Sequence, residues 1–185
     1  ELNPLSGDFL EQLRAGRADI AVYPLDTVPK DFHRLELYQS RRGILVRQGH
    51  PLIKKYEKAG RIELDDLRAF KHVMMNLPGT PELSPAAYQQ YAFEVGISLP
   101  YFLGVPYVLA DTDYVYISPV VTLMHCLRLP DCNLRVLPAP PEVSPFTPAI
   151  IWHHGAHTDP FLQWVRGVLL QSAREEAKRY NAIEI

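Results

Sequence analysis

Residues 9–24, FLEQLRAGRADIAVYP, constrain the fold more than any other stretch of the chain. Phe9, Leu10 and Leu13 recur at helical spacing with Glu11, Gln12 and Arg14 between them, which predicts a helix with one apolar face. Gly16 then ends it, because glycine enters the left-handed conformation that follows a helix without steric cost. Past a polar turn, residues 20–23 form an unbroken apolar run, not an alternating one. A strand covered on both faces reads that way, and it points to a parallel sheet in an α/β fold. Pro24 stops pairing at the strand's carboxyl end, where open α/β sheets place their ligands.

The rest of the chain alternates in the same manner. Residues 1–5 read as the tail of a strand, with Ser6 or Asp8 placed to cap the first helix. Apolar runs near 35–38 and 43–46 read as strands on either side of the turn Ser40-Arg41-Arg42. His50-Pro51-Leu52 reads as a loop, 54–60 as a charged surface segment and 62–67 as a short helix. Val73-Met74-Met75 mark a buried strand over 71–77, with Pro78 and Gly79 in the loop at its carboxyl end. Tyr88, Tyr91, Ala92 and Val95 share one face of a helix over 86–95, which Gly96 closes. Pro100 fits the first turn of another helix, over 101–110, that the interior Pro106 bends or splits. Strands follow at 114–117, 134–137 and 149–152, and helices at 120–127 and 160–179, the last with Phe161, Trp164, Val165 and Val168 on one face. Strands and helices alternating with short joins give an α/β fold.

A chain of 185 residues suits one domain or two small lobes, and 47% apolar content is ample for a core. The formal net charge of −2 supplies no basic footprint for gripping nucleic acid. No apolar run approaches the roughly 20 residues of a membrane span. Cys126 and Cys132 lie close together without ligand-like company and read as free thiols of a reducing cytosol.

Enzyme signatures are missing: there is no G-x-S-x-G elbow, no phosphate-cradling glycine loop and no dinucleotide fingerprint. Asp65-Asp66 reads as a solvated helix start, and Asp111-Thr112-Asp113 as a turn. The busiest polar cluster is WHHGAHTD, residues 152–159. His154, His157 and Asp159 are of types that ligate zinc, so a metal-assisted hydrolase is one alternative. Against it, the spacing is loose, Gly155 makes the segment a loop, and no second ligand cluster occurs. Asp159-Pro160 is also a good N-cap and first-turn pair for the final helix. The expectation is a binding protein without catalytic residue, metal or cofactor.

The segment LRAG-RADIAVYP resembles the L-x-x-G-x-x-D-x-A stretch in the effector-binding domain of LysR-type transcriptional regulators. Three further stretches resemble that domain in order and spacing: LVRQGHPL at 45–52, LPYFLGVPYVLADTDYVYISP at 99–119 and IIWHHGAHTDPFLQWVR at 150–166. The last is similar to the ending of a subgroup that includes salicylate- and flavonoid-responsive activators. The resemblance implies two Rossmann-like lobes of the type II periplasmic-binding-protein kind, joined by two hinge strands, with a small effector between them. It assigns residues 1–44 and 152–185 to lobe I and 45–151 to lobe II. A DNA-binding helix-turn-helix, its linker helix, and the first strand and helix of the sensing domain would precede Glu1. It further implies an aromatic acid or phenolic effector, self-association as a dimer or tetramer, DNA contact through the N-terminal domain, a cytoplasmic location and no membrane partner. An extracytoplasmic solute-binding protein is the alternative within the same fold.

Expected effector contacts sit at strand ends and helix starts. Tyr101 and Phe102 lie in the first turn of the helix begun by Pro100, whose free N–H groups and dipole suit a carboxylate, while their rings suit an aromatic one. His72 begins the strand where the resembled sensors present a polar effector contact; a hydrogen-bonded core histidine is its other reading. Asn76 and Thr80 lie at that strand's far end, and Pro24 at the end of the first strand. Ile151 and Trp152 would supply an apolar wall from the returning hinge strand.

Overall fold

The computed structural model describes residues 1–3, 5, 7–25, 27–76, 83–129, 133–143 and 145–181. In chain order the elements are α1 (Phe9–Arg14), β1 (Ala21–Tyr23), β2 (Phe32–Glu36), β3 (Arg42–Arg47), α2 (Pro51–Ala59), α3 (Leu64–Arg68), β4 (His72–Met75) and α4 (Pro85–Tyr91). After them come β5 (Val95–Leu99), α5 (Val105–Ala110), β6 (Tyr116–Pro119), α6 (Val120–Cys126), β7 (Leu134–Pro138), β8 (Ala149–His153) and α7 (Pro160–Asn181). They gather into two compact units. Unit 1 holds the described residues of 1–39 and 146–181, and unit 2 those of 40–77 and 82–145.

Unit 1 is built on a three-stranded sheet in the order β1-β8-β2, with β8 antiparallel to both neighbours. Ala149, Ile150 and Ile151 of β8 are wholly buried because both faces of this central strand are covered. Alternation sends Ile151 to one face, against Leu13, Ala21 and Phe32, and Ile150 and Trp152 to the other, against Leu169, Leu170 and Ala173 of α7. The parallel pairing expected for residues 20–23 is not found here. β1 is an edge strand antiparallel to β8, and its Val22 is 45% exposed. The run is therefore neither covered on both faces nor parallel, because its one neighbour, β8, is supplied from the far end of the chain. The helix does end at Gly16, with φ +67°. No strand forms in the described part of residues 1–5. On α7 the expected apolar face is turned outward, with Phe161 and Trp164 about two-thirds exposed, while Leu169, Leu170 and Ala173 face the sheet.

Unit 2 centres on β3, whose Ile44, Leu45 and Val46 are wholly buried between β6 and β7, both antiparallel to it. β4 and β5 pair in parallel, and a parallel bridge from His72 to Val115 links β4 to the start of β6. Three sequence expectations change here. Residues 51–59 form α2, which buries Leu52 and Ile53 and turns its lysines to solvent; Gly60 ends it in the left-handed region with φ +71°. His50, expected in a loop, is the wholly buried N-cap of α2. Its Nδ1 accepts the Leu52 N–H at 3.1 Å, so its proton sits on Nε2 and is donated to the Asp113 carbonyl at 3.1 Å.

The third change concerns residues 86–110. α4 stops at Tyr91, where Ala92 takes φ +56°, and Val95–Leu99 is strand β5. Gly96 lies inside that strand, since a Cβ there would come within 2.8 Å of the Tyr114 ring and 2.9 Å of the Lys71 Cβ. The helix expected from Pro100 is divided at Pro106: a 3-10 turn, Phe102–Gly104, precedes the six-residue α5. Pro106 lies in the first turn of α5, where its missing N–H leaves no bond unmade.

Candidate functional site

In unit 2 the parallel register of β4 and β5 pairs Met75 with Leu99, so both strands end at the same edge. Asn76 follows β4 there, exposed, with its N–H donated to the Leu99 carbonyl at 2.9 Å. Pro100 and Tyr101 follow β5, and Tyr101 is 74% exposed. β6 runs parallel to β4 from the His72–Val115 bridge and ends in Ser118-Pro119. Three strands thus deliver their carboxyl ends, and the residues just beyond them, to one edge of unit 2, which is where α/β folds assemble ligand sites.

Ser118 was not singled out by sequence reasoning. It is wholly buried, and its Oγ has no hydrogen-bond partner among the described residues. A buried hydroxyl without a partner costs free energy until something bonds it. The sequence signal was a small hydroxyl residue before Pro119 at a strand's end, easily mistaken for a turn former.

Phe102 is half-buried, packing on the core of Val73, Met75, Val105, Leu109 and Tyr116 and lying 6.4 Å from the Tyr116 ring. With only a three-residue turn after Tyr101, the dipole expected from a helix at Pro100 is not formed. His72 is wholly buried. Its Nε2–H donates to the Leu67 carbonyl at 3.0 Å, and its ring stacks on Phe93 at 4.3 Å, edge-on to Tyr88. Burial drives its pKa down from 6.5 to about 4, against the smaller opposing pull of the Leu67 hydrogen bond. Its Nδ1 has no partner among the described residues. Thr80 lies outside the described residues.

In unit 1, Pro24 is half-buried just past β1, and Ile151 is sealed in the core beneath α1. Trp152 is 6% exposed; its Nε1–H donates to His157 Nδ1 at 3.3 Å, and the Arg166 guanidinium sits 4.5 Å from its ring centre. The structure therefore brings Asn76, Tyr101 and Ser118 to one edge of unit 2, and keeps Ile151 and His72 inside their cores. Of the residues in the metal reading, Asp159 Oδ1 accepts the Leu162 N–H at 2.9 Å as a helix cap, and His157 Nδ1 is occupied by Trp152. Among the described residues, no three of His, Cys, Asp or Glu come together as a metal-binding set.

Comparison with known proteins follows this geometry. A family model described as the LysR substrate binding domain matches residues 3–174. The chain is 27% identical over 179 residues to the HTH-type transcriptional regulator SyrM of Rhizobium meliloti (strain 1021), covering 92% of this chain and 52% of that protein. It is 27% identical over 179 residues to nodulation protein D 1 of Rhizobium tropici, covering 94% of this chain and 55% of that one. The chain thus spans about half the length of these curated relatives. Among solved structures, the regulatory domain of MexT, a transcriptional activator in Pseudomonas aeruginosa, superposes with a TM-score of 0.68 at 21% identity, over 87% of this chain and 76% of that one. The regulatory domain of MetR, a LysR family regulator from N. meningitidis, gives a TM-score of 0.70 at 13% identity, over 97% of this chain and 81% of that one. At these identities the two structures establish the fold.

Proposed function

The chain belongs to the LysR substrate-binding domain family, and from that premise we propose that it is the sensing part of a transcriptional regulator, binding a small aromatic acid or phenolic compound. It performs no reaction. The whole protein contacts DNA through a helix-turn-helix domain, assembles as a dimer or tetramer, and works in the cytoplasm. On the shared edge of unit 2 the effector contacts Asn76, Tyr101 and Phe102, while His72 and Ile151 belong to the cores in which they are buried.

The observation that carries this reading is the shared edge of unit 2, where Asn76 and Tyr101 follow parallel strand ends and Ser118, near the end of β6, has an Oγ with no partner among the described residues. Two hydrogen-bonding groups beside an exposed phenol ring suit a ligand with one polar end and an aromatic body. The similarity to a nodulation protein and to an HTH-type regulator supports the regulatory setting. The effector acts by population shift: it favours one arrangement of the regulator only as far as its affinities for the two arrangements differ.

Thermal unfolding against a panel of benzoates, phenols, flavonoids, amino acids and sugars tests this. An effector present at about 100 times its dissociation constant adds roughly 2.7 kcal/mol of apparent stability. The expected result is a shift with aromatic carboxylates or phenols that Tyr101→Ala and Ser118→Ala each remove. A shift confined to sugars or amino acids, or a panel with no shift, overturns the aromatic assignment.

A further inference from the structure

A second cluster lies wholly in unit 1, around Trp152. Three histidines stack across it. The His33 ring on β2 lies 4.1 Å from the His157 ring and 5.4 Å from the His154 ring, with interplanar angles of 19° and 27°. Trp152 continues the stack, 5.4 Å from His33 and within 2° of parallel to His157. His154 is exposed and the other two histidines are half-exposed, so protons reach the stack from solvent.

Each hydrogen bond in the cluster requires a neutral ring. His33 Nε2 and His154 Nδ1 face each other at 3.1 Å, so one must carry a proton and the other a lone pair. His157 Nδ1 accepts from the Trp152 indole, which places that ring's proton on Nε2. His153 Nδ1 accepts the Gly155 N–H at 3.2 Å. These bonds hold the short turn His154–Ala156 together, and it is tied to β2 by the His154 N–H, which donates to the Asp31 carbonyl at 2.8 Å.

Charge around the cluster acts in a definite direction. From α7, Arg166 covers Trp152 and donates to the Ala156 and His157 carbonyls at 3.2 and 2.9 Å, presenting a fixed positive charge. From the start of β2, Asp31 lies 3.8 Å from His153 Nε2 but is already engaged by Arg14 of α1 at 2.8 Å. Asp159 caps α7. Burial, then the facing His157, His154 and Arg166, hold His33 below its ordinary pKa. A proton added to the accepting nitrogen of the His33–His154 pair sets two N–H donors against each other, and a proton on His157 Nδ1 displaces the Trp152 bond.

We propose that the His33–His154–His157 stack is an acid-released clamp that holds the turn after β8 against β2 while its rings are neutral and lets it go when they are protonated. The released element is the connection between β8 and α7, and burial, the facing histidines and Arg166 together disfavour added positive charge on His33.

Amide hydrogen exchange by NMR on the full chain tests it, with rates corrected for the intrinsic effect of pH. At about pH 5 the protection of Gly155 and His157 should fall at least about tenfold below its value at about pH 8, while Ile150 and Ile151 in β8 keep theirs. His33→Gln keeps a hydrogen-bonding amide toward His154 but takes no proton, so the pH-dependent loss should be clearly smaller in it. Unchanged protection at both pH values overturns the clamp. So does a loss shared equally by Ile150 and Ile151, which is global unfolding, or a loss of the same size in His33→Gln.

Discussion

Acidification should weaken unit 2, and His72 lets one ring's share of that loss be isolated. In the folded chain His72 is wholly buried, with Nε2–H bonded to the Leu67 carbonyl and no partner for Nδ1 among the described residues. Adding a proton charges a wholly buried ring, and burial is why its pKa falls from 6.5 to about 4. The unfolded chain binds that proton near 6.5 and the folded chain only near 4, so the stabilisation is complete above pH 6.5 and drains as pH falls toward 4. Between about pH 7.5 and 4.5 the loss works out to roughly 2.5 kcal/mol. At a urea slope of about 2 kcal/mol/M this lowers the midpoint by more than about 1 M. His33 and His50 are also held below their ordinary values, chiefly by burial, and add loss in the same direction. The comparison with His72→Leu therefore isolates the ring. Urea unfolding followed by far-ultraviolet circular dichroism should give a variant less stable at neutral pH, because the Leu67 carbonyl loses its donor, yet with a pH dependence reduced by roughly 2.5 kcal/mol. If wild type and His72→Leu lose the same stability between the two pH values, the burial argument for this histidine is wrong.

Other substitutions separate packing from binding. Gly96→Ala should cost about 1–3 kcal/mol by urea unfolding, because its Cβ meets the Tyr114 ring at 2.8 Å and the Lys71 Cβ at 2.9 Å, whereas Gly7→Ala, with nothing within 4 Å, should be close to neutral. His50→Ala removes the α2 cap and leaves the Asp113 carbonyl without its donor; a loss of about 2–4 kcal/mol is expected, and calorimetry reads it as a lowered Tm. Gly60→Ala, at φ +71°, should destabilise by roughly 1 kcal/mol through the end of α2 alone. Tyr101→Ala should leave unliganded stability within about 0.5 kcal/mol, because the ring is 74% exposed, while abolishing the effector-induced shift.

What could be read from the chain was local, and what could not was set by distant partners. Gly16, Asp159-Pro160 and the splitting at Pro106 were legible because each acts within one helical turn of itself. Asn76 was legible as a candidate because it follows an apolar run that forms a strand, whereas Tyr101 was reached through a helix start at Pro100 that is not formed, and it follows β5 instead. The antiparallel place of β1 was hidden because β8 lies at the other end of the chain. α2 was hidden by charge: Lys54, Lys55, Glu57 and Lys58 made it read as surface, while only Leu52 and Ile53 are buried. Gly96 stood where a helix stop was plausible, and only the approach of Tyr114 and Lys71 reveals why a strand needs glycine there. The histidine stack was the least legible feature, since His33 and His154 lie 121 residues apart.

Within unit 2, the residues that hold the core and those proposed for recognition are different ones, and the geometry explains how. Parallel strands bury their middles and present the residues beyond their carboxyl ends, so the chemistry of Asn76 and Tyr101 can change without opening the core. His72 lies three residues before Met75 at the other end of β4, bonded to Leu67 and stacked on Phe93, where any change is first a change in packing. Ser118 stands between these cases, since its position is buried while its hydroxyl has no partner among the described residues. Replacing it by alanine removes an unsatisfied group, so the free domain should become as stable or slightly more stable even as effector affinity falls. Opposite signs for those two effects are what a group held for a ligand produces, and a purely structural serine cannot reproduce them.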